Sequence, residues 1–122
     1  MKKILIAEDD QFISTAYRIK LTKAGYEVLV TADGEAATKA IETYQPDLII
    51  LDLIMPVKDG FTVLQELKDN PQWSTIPVIV ASNLGQKEDM EKATSLGASE
   101  FVVKSDLSLE ELISKIRKIL GE

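Results

Sequence analysis

Leu48-Ile49-Ile50-Leu51-Asp52 decides the fold: four aliphatic residues in unbroken succession, then an acid. A strand with one wet face alternates polar and apolar residues. A strand covered on both faces does not, so this run reads as part of a parallel sheet with helices above and below. Ile4 to Ala7, Val78 to Ala81 and Phe101 to Val103 repeat the pattern. A fifth run, Val28 to Thr31, follows Glu27 and reads as an edge strand.

Amphipathic stretches fill the intervals. From Gln11 to Ala24 the residues Ile13, Ala16, Tyr17, Leu21 and Ala24 recur at helical spacing, and Gly25 offers a left-handed stop. Asp33 is placed to cap a helix carrying Ala36, Ala37, Ala40, Ile41 and Tyr44, which Pro46 prevents from continuing. Asp59 precedes a helix with Phe61, Leu64 and Leu67 inward, closed by Asn70-Pro71. Gln86 to Leu96 places Met90, Ala93 and Leu96 on one face before Gly97. Ser108 and Glu111 form a capping box for a last helix, with Leu109, Leu112, Ile113, Ile116, Ile119 and Leu120 near a period of 3.6. Strand and helix alternate throughout, so right-handed crossovers build one α/β domain over residues 1–122: a three-layer, doubly wound (βα)5 fold with a five-stranded parallel sheet.

Composition narrows the chemistry. With 14 Lys and Arg against 20 Asp and Glu the net charge is −6, and no segment gathers basic residues into a stripe. Binding to a nucleic acid backbone therefore lacks its driving force. There is no Cys, which removes disulfides, thiolate metal sites and Cys nucleophiles, and no His, which removes the commonest general base and zinc ligand. The apolar runs are too short for a secretory signal or a membrane span, so the expected location is the cytoplasm and no membrane partner is expected.

In open parallel sheets, ligands bind beyond the carboxyl ends of the strands. Four of the five runs are followed there by polar groups: Glu8-Asp9-Asp10, Asp52, Ser82 and Lys104. Each alone reads most simply as a loop residue, and Asp10 as the first helix's cap. Four on one edge of one sheet form a constellation. If Glu8, Asp9 and Asp52 converge to about 5 Å, each like-charge pair costs about 3 kcal/mol at an effective dielectric of about 20. Such a cluster calls for protonation or a cation, and its oxygen donors suit Mg²⁺. A hard metal, an ammonium at Lys104 and a hydroxyl at Ser82 describe a place to hold a phosphoryl group, with Asp52 free to accept it as an aspartyl-phosphate.

These residues resemble the receiver domains of two-component response regulators, the CheY-like family, across essentially the whole chain. Ile4-Leu5-Ile6-Ala7-Glu8-Asp9-Asp10 is similar to the family's acidic opening, with Glu8 and Asp9 on its metal-binding pair. Leu51-Asp52-Leu53-Ile54-Met55-Pro56-Val57-Lys58-Asp59-Gly60 is similar to its phosphoacceptor segment. The resemblance implies Asp52 as the phosphorylated residue and Mg²⁺ coordination by Glu8, Asp9, Asp52 and the backbone carbonyl of Ile54. It implies the strand order 2-1-3-4-5 as well, the order of the family's chemotaxis receiver. It also implies Lys104 and Ser82 as phosphate-binding groups, and Ser82 with Phe101 as a switch that reshapes the surface of helix four, strand five and helix five. The donor it implies is a histidine kinase or histidine phosphotransfer protein. A downstream protein target is then engaged through the switch face, without direct nucleic acid contact, and Phe12 and Ile13 are candidates for docking the donor. For Phe101 the alternative is a plain core aromatic.

Three departures from the family pattern stand out. Ser105 occupies a position where many relatives carry proline after a cis bond, and trans or strained geometry is expected because a cis bond before a non-proline residue costs about 3 kcal/mol. Asn83 follows the hydroxyl where a small residue is usual and is expected to narrow access to the phosphate. Ile54 and Leu84 are apolar beside the acceptor, so self-dephosphorylation is expected to be slow. An aspartate-nucleophile phosphatase would carry a second acid two residues on, where Ile54 stands. A flavin or nucleotide module would need a phosphate loop after strand one, where Glu8-Asp9-Asp10 repels phosphate. A constitutive module without phosphorylation would have no use for the full acid, hydroxyl and lysine set.

Overall fold

A computed structural model describes residues 1–122. Strands β1 (Lys3–Ala7), β2 (Glu27–Thr31), β3 (Leu48–Leu51), β4 (Val78–Ser82) and β5 (Glu100–Val103) alternate with helices α1 (Gln11–Lys23), α2 (Gly34–Tyr44), α3 (Gly60–Asp69), α4 (Lys87–Ser95) and α5 (Leu109–Leu120). All neighbouring strands are parallel, in the order β2-β1-β3-β4-β5, with β2 at one edge as its polarity predicts.

Alternate residues of each central strand feed two separate cores. Leu5, Ile49, Leu51, Val78 and Val80 pack with Ala37 and Ile41 of α2, Val63, Leu64 and Leu67 of α3, and Ala93 of α4. Ile4, Ile6, Leu48, Ile50 and Ile79 pack with Tyr17 and Leu21 of α1 and with Leu112, Ile113 and Ile116 of α5. Burial on both faces explains why these strands are apolar without interruption.

The helix starts follow the side chains that cap them. Asp10 accepts from the Phe12 and Ile13 N–H groups, Asp33 from Ala36, Asp59 from Thr62 and Ser108 from Glu111. At Ser108 the box closes through its own hydroxyl, which donates to the Glu111 carboxylate at 3.2 Å. Gly25 takes up φ +100, the left-handed stop expected after α1. After α2 the same role falls to Gln45 at φ 53, directly before Pro46.

Two expectations need correction. Ala16 is exposed, and Ser14 is buried in its place. At 100° per residue Ala16 lies off the stripe centred on Tyr17 and Leu21. α4 is shorter than Gln86 to Leu96 by a residue at each end, and of its three inward positions only Ala93 is fully buried, with Met90 and Leu96 half-buried. Every peptide bond is trans, including the one before Ser105, where the chain makes a 3-10 turn over Lys104–Asp106. No helix is long and apolar enough to cross a membrane.

Candidate functional site

The ends of β1, β3, β4 and β5 meet at one edge of the sheet and bring most of the expected residues together. Glu8 follows β1 directly, and its N–H donates to the Thr31 carbonyl at 3.0 Å, so the β1–β2 ladder continues one residue past the strand. Asp52 is held in the same way by its N–H on the Ala7 carbonyl at 3.0 Å. This places one carboxylate beside another on adjacent strands. One carboxylate oxygen from each of Glu8, Asp9 and Asp52 falls within 4.8 Å of the others, the convergence that the charge argument requires. Glu8 and Asp52 are only 3% and 6% exposed, whereas Asp9 faces solvent. Asp10 is spent on capping α1 and takes no part, though its N–H donates to Glu8 Oε2 at 3.1 Å.

Lys104 sits among these acids. Its ammonium bonds Glu8 and stands 3.1 Å from Oδ2 of Asp52, with the lysine side chain 10% exposed. Burial works against this ammonium, but its bonds to Glu8 and Asp52 prevail and raise its pKa above the ordinary lysine value. Burial dominates for Glu8. It outweighs the bonds from Lys104 and the Asp10 N–H, is reinforced by the Asp52 charge, and pushes the Glu8 carboxyl up to about 7. Both responses expected of crowded carboxylates are therefore present: a cation, in the form of the lysine, and a proton held more tightly at Glu8. The sequence places Lys104 as a phosphate ligand but gives no sign of its bond to Glu8, since nothing in the residues around position 104 specifies a partner 96 positions away.

Ser82 ends β4 wholly buried, and its Oγ accepts from the Leu84 N–H at 3.2 Å. Phe101 lies on the neighbouring strand β5, half-buried against the core formed with α2, α3 and α4. Asp52 Oδ1 accepts from the Ile54 N–H at 3.3 Å, and Ile54 turns its own side chain outward, 58% exposed. Phe12 is 90% exposed at the start of α1 and Ile13 half-buried beside it.

The loop after Asp52 is shaped by three features, most of which the sequence alone does not announce. Lys58 N–H donates to the Pro56 carbonyl at 2.8 Å around Val57, which is at φ 70, a tight turn that a β-branched residue rarely adopts. A Cβ on Gly60 would stand 2.2 Å from the Asp52 carbonyl oxygen, so only glycine lets the loop fold back on the acid. Lys58 then ties the loop outward, with Nζ 3.1 Å from Thr38 Oγ1, 2.8 Å from Glu66 and 3.2 Å from Glu35. Of these, Gly60 has a readable signal, a glycine directly after the Asp59 cap. A surface groove of about 730 Å³, lined by Lys2, Tyr26 and Asp47 among others, lies at the opposite edge of the sheet and includes none of the clustered acids.

A buried acid beside a lysine, two further acids and a strand-end hydroxyl is the arrangement expected of a receiver, and comparison with known families agrees. Residues 4–117 match the response regulator receiver domain. The chain belongs to that family. This receiver domain is 38% identical over 120 residues to the DNA-binding dual master transcriptional regulator RpaA of Synechocystis sp., covering 98% of the chain but 49% of RpaA. It spans about half the length of the curated relatives it matches. Among solved structures it is similar to the BeF3-activated N-terminal receiver domain of Klebsiella pneumoniae RstA, with TM-score 0.91, 29% identity and coverage of 99% of this chain and 100% of that one. It is also similar to the Mn(2+)-bound form of the response regulator Rcp1, with TM-score 0.82, 31% identity and coverage of 98% and 91%. The chain is thus a receiver domain of the two-component type, with the CheY-like α/β fold.

Proposed function

We propose that Asp52 is the phosphoacceptor of this receiver, and that Glu8, Asp9, Asp52 and the backbone carbonyl of Ile54 are the ligands of a Mg²⁺ ion. The observation that carries the reading is the burial of Asp52 within reach of both an ammonium and two further acids. The donor set is entirely hard oxygen, which fits Mg²⁺ and disfavours softer metals. Bound there, the ion supplies charge neutralisation for an incoming phosphoryl group.

The remaining chemistry belongs to the chain. An Asp52 carboxylate oxygen attacks the phosphorus of a phosphohistidine on the donor; the P–N bond breaks and the imidazole leaves with its electron pair and takes up a proton. These 122 residues contain no His, so the phosphohistidine lies outside them, on a histidine kinase or histidine phosphotransfer protein. Lys104 pairs with the charge of the added group and Ser82 donates its hydroxyl to a phosphoryl oxygen. Phe101 follows into the space released, and the surface of α4, β5 and α5 changes for a downstream protein. The domain is a switch whose only turnover is its own phosphorylation and slow self-dephosphorylation. A cytoplasmic location and the absence of direct nucleic acid contact by these residues go with this reading, the latter supported by the net charge of −6.

Incubation with Mg²⁺ and acetyl phosphate, followed by intact-mass measurement, tests the proposal. One added phosphoryl group is expected, and none in Asp52→Asn. Phosphorylation that persists in that variant would overturn the assignment.

A further inference from the structure

Asn83 and Ser105, both departures from the family pattern, are bonded to each other. The Ser105 N–H donates to Oδ1 of Asn83 at 3.2 Å. Asn83 directly follows the hydroxyl of Ser82, and Ser105 directly follows Lys104. The last paired residues of β4 and β5 are Ser82 and Val103, so the side chain of Asn83 adds a rung beyond the point where the backbone ladder stops. A proline at position 105 has no N–H and could not make this bond. The bond lies between two exposed residues, and no other hydrogen bond joins the β4–α4 loop to the Lys104–Asp106 turn.

We propose that Asn83 is a positioning residue that couples the two phosphate-binding side chains, so that movement of the loop behind Ser82 is passed to the turn behind Lys104. The proposal rests on the phosphoacceptor reading above and extends it. Ser82 is buried and its Oγ is tied to the Leu84 N–H. Drawing that hydroxyl to a phosphoryl oxygen moves the Oγ that accepts from the Leu84 N–H, and with it Asn83, the residue between them. Because the Asn83 amide holds Ser105, the shift displaces the backbone adjoining Lys104 in the same step. A small residue at position 83 has nothing to pull with, and the two loops would then respond independently. The added rung uses both residues: the side-chain oxygen of Asn83 and, at Ser105, an N–H that proline lacks.

The test is amide NMR of the full chain with Mg²⁺ and beryllofluoride, in the wild type, Asn83→Ala and Asn83→Asp, alongside acetyl phosphate labelling read by intact mass. In the wild type the Ser105 and Asp106 amides are expected to shift together with those of Ser82 and Leu84. In Asn83→Ala the Ser82 and Leu84 shifts are expected to persist while those of Ser105 and Asp106 disappear, and labelling to slow by about two- to tenfold, the factor that one net hydrogen bond commands. Asn83→Asp keeps the acceptor oxygen and is expected to restore the Ser105 response, a rescue that a general loss of stability would not give. An unchanged Ser105 response in Asn83→Ala, with the wild type labelled normally, overturns the coupling alone. A wild type that takes up no phosphoryl group overturns the phosphoacceptor reading and the coupling with it.

Discussion

The ammonium of Lys104, just past β5, stands 3.1 Å from the Asp52 carboxylate, just past β3, with both side chains no more than 10% exposed. Two strand ends separated by β4 are thereby joined through charge. The same ammonium bonds Glu8, so one lysine serves two buried acids. Lys104→Met would keep the stem's packing and remove the charge, leaving both acids without a cation. Removing one partner of a buried pair costs about 3–5 kcal/mol, lessened here because Glu8 can take a proton. The expected result in metal-free buffer at neutral pH is a destabilisation of about 2–3 kcal/mol by urea denaturation, with part of it recovered on adding Mg²⁺. A loss below a few tenths would mean that the pair contributes nothing to the fold.

Glu8 makes stability depend on pH in an unusual direction. Its carboxyl rises from 4.5 to about 7 on folding, chiefly through burial. Between these values the folded chain keeps a proton that the unfolded chain has released, so stability falls as pH rises through that window. Thermal denaturation of the metal-free protein from about pH 5 to about pH 8 is expected to show a declining Tm, and Glu8→Gln is expected to flatten it. The Mg²⁺-induced rise in Tm should grow over the same range, because the ion competes with that proton.

Gly60→Ala is expected to disable the site from a distance. Its Cβ would meet the Asp52 carbonyl oxygen at 2.2 Å and Leu53 Cα at 2.6 Å, both backbone atoms that cannot step aside alone. Forced repacking costs about 1–3 kcal/mol, and here the strain falls on the residue carrying the acid. Denaturation should show that loss, and acetyl phosphate labelling of Asp52 should slow even where the variant is fully folded.

Val57 presents the opposite case. It is 82% exposed at φ 70, so its side chain contributes little packing while its backbone carries strain. Relieving left-handed geometry gains about 1–2 kcal/mol, and the added freedom of glycine in the unfolded chain costs about 0.5–1 kcal/mol. Val57→Gly is therefore expected to stabilise by about 0.5–1 kcal/mol, read as an increased urea midpoint with unchanged slope.

Much of this is legible in the residues, and the limit has a physical pattern. The unbroken run Leu48 to Leu51 announces a strand covered on both faces, and Asp33, Asp59 and Ser108 announce their helices, because each effect is decided within a few neighbours. Convergence of Glu8, Asp9 and Asp52 follows from parallel strands ending at one edge. Contacts whose partners depend on how loops approach one another are not legible: Lys104 with Glu8, Lys58 with Thr38 and Glu66, and Ser105 with Asn83. Positive φ at Val57 has no local signal, because a valine is the residue least expected there. Ala16 shows how a small apolar residue imitates a helix stripe without belonging to it.

With Asp52 as the proposed acceptor, phosphoryl lifetime is expected to be set by the residues around it rather than by Asp52 itself. Ile54 is 58% exposed two residues beyond Asp52, and Leu84 is half-buried two residues beyond Ser82. Neither side chain has a donor or acceptor with which to align a water for attack on phosphorus. The wild-type phosphoprotein is thus expected to keep its label well beyond seconds in Mg²⁺ buffer. Ile54→Gln adds an amide at a position already facing solvent, so folding should be unaffected, while the added group can orient a water. General catalytic assistance of this kind is worth about a hundredfold when well placed, and an imperfectly placed amide about tenfold. Label decay followed by intact mass should therefore be faster in Ile54→Gln by about that smaller factor. Equal decay in the two proteins would place the control of lifetime elsewhere, with the Lys104 contact to Asp52 the next to vary.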